Sequence, residues 1–127
     1  MDKDRDIRKF IKTIRRALPD AAAETDDIMH KRDFDSEADA GSLWVEALAD
    51  VTNMCIRRRD QDEVRKQLDF FSKQLDQGTD TVKNYIDVSY VENLMWDLAP
   101  KDKKWVWPLI LENLKKLYVT MWGKPIF

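Results

Sequence analysis

Turn-forming residues are scarce in this 127-residue sequence, which holds three glycines and four prolines. A sheet protein of that length needs many hairpins, and so few turn formers cannot supply them. Cysteine is scarcer still. Cys55 has no second thiol to pair with, and its place in the apolar run Val51-Thr52-Asn53-Met54-Cys55-Ile56 reads as a small buried hydrophobe rather than a reactive group. His30 is the one histidine, and no Ser-His-Asp or Cys-His set assembles around it, which argues against nucleophilic catalysis and an enzymatic role. Gly41, Gly78 and Gly123 are each isolated, so no glycine-rich phosphate loop can form. Uncharged stretches such as Trp105 to Leu111 fall far short of a membrane span. The opening Met1-Asp2-Lys3-Asp4-Arg5-Asp6 is charged from its second residue and no apolar core of a secretory signal follows, so the expected compartment is the reducing cytoplasm.

What is present points to helices. A composition 43% hydrophobic and 36% charged suits one globular domain spanning residues 1–127. Ile7, Phe10, Ile11, Ile14 and Leu18 recur at helical spacing and predict an amphipathic helix over 4–18, with Asp2 or Asp4 to cap it and Pro19 to stop it. A second helix is expected from Asp20 to about His30. A third opens near Ser36, where Ser36 and Asp39 have capping-box spacing, and carries the stripe Leu43, Trp44, Ala47, Leu48, Val51, Met54 and Cys55 to Arg57-Arg58-Arg59. Val64, Leu68, Phe71 and Leu75 define a fourth, closed by Gly78. Thr79 or Asp80 then caps one whose apolar face, from Val82 through Tyr85, Ile86 and Tyr90 to Leu98, ends at Ala99-Pro100. Lys101 to Lys104 reads as a charged loop before a last helix carrying Leu111, Leu114, Leu117, Tyr118 and Met121. The predicted fold is all-α: five or six antiparallel helices in a bundle or an irregular helix-pair stack.

The formal net charge of −2 conceals an uneven distribution. Residues 1–18 carry seven basic and three acidic side chains, residues 19–50 carry ten acidic ones against Lys31 and Arg32, and the tail from Lys101 is again positive. Such blocks steer encounters with charged partners. His30 with Asp26, Asp27, Asp33 or Asp35 has spacings that could ligate a metal, but Glu-x-x-His pairs on two helices are lacking, so a solvated acidic face is preferred and neither metal nor cofactor is expected. Four of the five tryptophans, Trp96, Trp105, Trp107 and Trp122, lie in the last third, either closing one end of the core or anchoring an interface. Arg5, Arg8, Lys9, Lys12, Arg15 and Arg16 on the first helix, with Arg57-Arg58-Arg59, could touch phosphates, although the acidic block beside them would repel the same backbone.

Leu43-Trp44, Leu68-Asp69-Phe70-Phe71, Val82-Lys83-Asn84-Tyr85, Tyr90-Val91-Glu92-Asn93-Leu94 and Pro108 ahead of Leu114-Lys115-Lys116-Leu117-Tyr118 resemble a family of small helical bacterial immunity proteins from toxin systems, contact-dependent inhibition included. The resemblance covers about two thirds of the chain and consists mainly of core positions. It implies a protein that binds one cognate toxin domain, a nuclease for example, and blocks it sterically. Toxins of nucleic acids present basic clefts, so the expected contacts are Asp26, Asp27, Asp33, Asp35, Glu37 and Asp39. The alternative is a regulatory or adaptor protein that binds nucleic acid through its basic helices. Protein is the expected partner; nucleic acid is not the one expected, and neither is a small-molecule substrate or a membrane.

Overall fold

The structure, a computed structural model, describes residues 2–32 and 41–127, with side chains from residue 5 onward. Among these residues every regular element is helical: α1 (Asp2–Ala17), α2 (Pro19–Lys31), α3 (Gly41–Arg57), α4 (Gln61–Gln77), α5 (Asp80–Tyr85), a π-helix (Ile86–Val91), α6 (Pro100–Val106), a 3₁₀ turn (Trp107–Leu109) and α7 (Glu112–Trp122). The all-α expectation holds, with seven α-helices in place of five or six. The capping box expected at Ser36 lies outside the described residues.

The organising element is α3. Ten of its 17 residues are buried, and it touches α1, α2, α4, α6 and the π-helix. Small side chains make that possible, because Ala47 and Ala49 let neighbouring backbones approach where a larger residue would hold them off. Gly41 belongs to the same logic: a Cβ there would stand 2.8 Å from Ile7 Cγ1, so its value is the close contact with α1 rather than any weakening of the first turn. The apolar stripe of α1, Ile7, Phe10, Ile11, Ile14 and Leu18, is wholly buried against this centre.

The termini carry the devices expected of them. Asp60 accepts from Glu63 N at the start of α4, Thr79 accepts from Val82 N at the start of α5, and Gly78 N–H donates to Gln74 O at 2.7 Å to close α4. The three arginines after α3 reach three different elements. Arg57 pairs with Asp97 (2.7 Å), Arg58 approaches Glu24 on α2 (3.8 Å), and Arg59 meets Asp102 on α6 (2.7 Å) while donating to Ile56 O at the end of α3.

Two expectations change. The helix predicted to run unbroken to Leu98 is divided, because α5 widens at Ile86 into a π-turn, marked by Glu92 N–H bonding back to Asp87 O, and then into consecutive turns. The widening places Ser89, Tyr90 and Val91, three successive residues, in the core. Tyr90 stacks on Phe71 with centroids 3.7 Å apart, and its hydroxyl lies 2.8 Å from Thr52 Oγ1. Second, the charged stretch after Pro100 is helical rather than a loop. Pro100 suits the first turn of a helix, and Asp102 is turned inward, 8% exposed, onto Arg59.

A buried polar chain ties these parts together. Thr52 Oγ1 donates to Gln67 Oε1 at 2.6 Å and so accepts from the Tyr90 hydroxyl, while Gln67 Nε2 donates to Glu63 Oε1 at 3.0 Å. Thr52, Gln67 and Tyr90 are fully buried, so deleting the middle member strands two groups whereas deleting the end member strands none with a proton to place. Urea denaturation is therefore expected to show Thr52→Val costing about 2–3 kcal/mol and Tyr90→Phe only about 1 kcal/mol. The reverse order would contradict this hydrogen-bond direction.

Candidate protein-binding surface

Asn53, next to Thr52 and also buried, holds the segment that follows the π-helix. Its Nδ2 donates to Asn93 O at 3.0 Å and its Oδ1 accepts from Met95 N–H at 2.8 Å, so one side chain clamps the turn at both ends. Met95 there has φ 65°, a left-handed conformation that costs a non-glycine residue about 1–2 kcal/mol. Its side chain is nonetheless buried, with only 1% exposed. Met95 is anchored inward, and the next residue projects outward. Trp96 is 67% exposed.

Trp96 does not stand alone. Trp122, at the last turn of α7 and 44% exposed, lies with its ring centroid 5.5 Å away at a tilt of 43°. Asp97, the next residue, lines a shallow groove with Ile28, Asn53, the half-exposed Met54, and the ion pairs Arg57–Asp97 and Arg32–Asp50. The result is two adjacent aromatic rings beside a polar rim of balanced charge, an arrangement typical of interface anchors. Strained backbone and π-turns both concentrate at functional positions, and here both adjoin the same tryptophan.

The other two C-terminal tryptophans are built into the body of the protein. Trp105 lies under the Arg59 guanidinium, 5.0 Å from the ring centroid, and Trp107 packs edge-on against Tyr118 and Phe127 with Lys115 over its ring. Of the four C-terminal tryptophans, one pair is thus packed into the body of the protein and the other is left exposed.

Of the acidic residues singled out in the sequence, Asp33, Asp35, Glu37 and Asp39 lie outside the described residues. Asp27 is exposed on α2. Asp26 is turned toward its own protein: Arg15 donates to both of its oxygens at 2.6 and 2.9 Å, and the Trp44 indole N–H donates at 3.0 Å. The structure adds a grouping that sequence separation hides, a notch where Asp20 and Glu24 of α2 face Asp60 and Glu63 across Cys55 and Arg58. Burial pushes the Cys55 thiol up, against the partial opposition of Arg58, which keeps it a protonated core side chain. No group of three or more His, Cys, Asp or Glu among the described residues is arranged to hold a metal ion.

Among the described residues these features define an all-helical protein with an exposed aromatic pair and a notch lined by carboxylates. By sequence the chain belongs to the family described as domain of unknown function DUF7674, whose profile matches residues 11–123. No curated protein and no solved structure gives a significant match. Among the described residues no helix is long and apolar enough to cross a membrane.

The Asp26 contacts make a pH-dependent prediction. The Arg15 guanidinium, helped by the Trp44 indole, holds the Asp26 carboxyl below its ordinary value of 3.8 despite partial burial. A carboxyl depressed on folding stabilises the protein above its unfolded value and loses that contribution as pH falls through the folded one. Asp26→Asn is expected to cost about 1 kcal/mol at neutral pH, a figure kept small because both partners are partly exposed. The gap to the parent should close below about pH 3.8. A pH-independent gap in urea denaturation would show that the charge contributes nothing.

Proposed function

We propose that this protein acts by binding another protein, and that the partner is a toxin domain which it neutralises by covering a working surface. The observation that carries the binding half is the Trp96–Trp122 pair: two exposed aromatic side chains in contact, Trp96 after a clamped, strained turn and Trp122 at the end of α7. A folded chain gains by burying tryptophan, and a free-standing pair held in place at a conformational cost is accounted for by the contact it makes in a complex.

The toxin half rests on the resemblance read from the sequence and on the acidic balance of residues 20–39. That stretch, which holds Asp27, Asp33, Asp35, Glu37 and Asp39 against Lys31 and Arg32, is predominantly negative, which would speed encounter with a basic cleft. Asp26 contributes by its charge more than by direct contact, since Arg15 and Trp44 already occupy its oxygens. In this division the acidic residues govern the association rate and the tryptophans govern the lifetime of the complex.

The test is a comparative capture from native lysate using the tagged protein and its Trp96→Ala/Trp122→Ala variant, followed by mass spectrometry. The parent should retain one stoichiometric protein after a moderate-salt wash, and the variant should lose it, with an affinity at least tenfold weaker. The double variant should keep the parent's denaturation midpoint, because neither ring is buried. Equal retention by both forms would remove the aromatic pair from the interface. If the captured protein is a toxin domain, co-expression with the parent should restore growth; growth arrest despite complex formation would refute neutralisation.

A further inference from the structure

Helix α1 presents a second surface, away from the aromatic pair. At 100° per residue, Arg5, Arg8, Lys9, Lys12 and Arg16 fall within an arc of about 100°, opposite the buried stripe of Ile7, Phe10, Ile11 and Ile14. Arg8, Lys9, Lys12 and Arg16 are exposed, and among the described residues none of these four forms an ion pair. Arg57, Arg58 and Arg59, by contrast, each reach a carboxylate. The adjacent helix α2 does not neutralise the arc either: Asp26 is held by Arg15 at the side of α1, and Glu24 is drawn toward Arg58.

We propose that this cationic arc is a docking surface for the phosphate backbone of double-stranded nucleic acid. Three features select that occupant. The four cations without an ion pair, Arg8 to Arg16, are borne on one helix and extend over about 12 Å, a length along which a duplex offers roughly seven phosphates. No large apolar or aromatic side chain of α1 is exposed, so the arc has nothing on which to stack unpaired bases, which single-strand binding requires. A membrane is disfavoured for a related reason: the apolar face of α1 that would enter the lipid is already the protein core. The contacts are to backbone alone, so binding is independent of sequence and depends strongly on salt. This surface does not depend on the toxin-binding reading.

Fluorescence anisotropy with a labelled mixed-sequence DNA duplex tests the proposal. Four phosphate contacts give a log–log salt slope of about −3.6, so affinity should fall on the order of a hundredfold between about 50 and 200 mM salt. The variant Arg8→Gln/Lys9→Gln/Lys12→Gln/Arg16→Gln should bind at least tenfold more weakly at the lower salt, with its slope near zero and its circular dichroism and melting temperature unchanged. Lys101→Gln/Lys104→Gln on α6, a control equally exposed, should match the parent. The proposal is overturned if the parent does not bind the duplex at low salt, if the arc variant keeps the parent's slope, or if anionic vesicles or an acidic polypeptide are bound while the duplex is not.

Discussion

Thr52 and Asn53 stand side by side on a helix whose surroundings are almost entirely protein, and neither can leave its polar atoms unmatched without a cost of several kcal/mol across the pair. Their partners come from the segment that follows α5. Tyr90 must bring its hydroxyl to Thr52, and the backbone of Asn93 and Met95 must turn around the Asn53 amide. A regular α-helix could not satisfy both, since it would spend its own carbonyls and amides internally. The π-turn and the left-handed Met95 are the chain's response to two polar side chains on its central helix.

The same constraint fixes the surface. The amide of Asn53 offsets the backbone strain at Met95, the residue before Trp96. An interface anchor is effective when its geometry is set before the partner arrives, because less conformational freedom is then lost on binding. The placing of Trp96 therefore depends on a buried amide on the central helix. Trp122 comes to Trp96 from α7, which Asn113 ties to α4 through Ser72 and Asp76.

Sequence periodicity revealed α1, α4 and the body of α3 because each has a simple apolar face and a recognisable cap or stop, whereas α2 was legible from Pro19 and the helix-favouring run Ala21-Ala22-Ala23. It failed between Tyr85 and Trp105, where hydrogen bonds across more than 35 positions of sequence outweigh local preference. Val82, Ile86, Tyr90, Leu94 and Leu98 are all buried, so the spacing was a true record of burial and a false record of helix continuity. Asn53 was the available signal: an amide inside an otherwise apolar run requires a partner, although the run alone does not say which. The two exposed tryptophans differ from the two packed ones only in tertiary position, so composition could count them but not separate them.

Charge in this protein follows a division that the fold makes physical. Arginines at the end of α3 are spent on holding α2, α6 and the turn at Asp97 against the central helix, and Arg15 is spent on Asp26 and on the Trp44 ring, 5.2 Å away. Arg8 and Arg16 on the outer arc of α1 form no ion pair among the described residues. Since ion pairs at a surface contribute little to stability, pairing would have been an inexpensive way to quiet that arc. Neighbouring α2 carries acids enough to do it, yet Asp26 faces the side of α1 and Asp20 and Glu24 line the notch shared with α4. The two signs are kept apart by which way each helix turns its acids, and a molecule so polarised carries potentials of opposite sign on different faces.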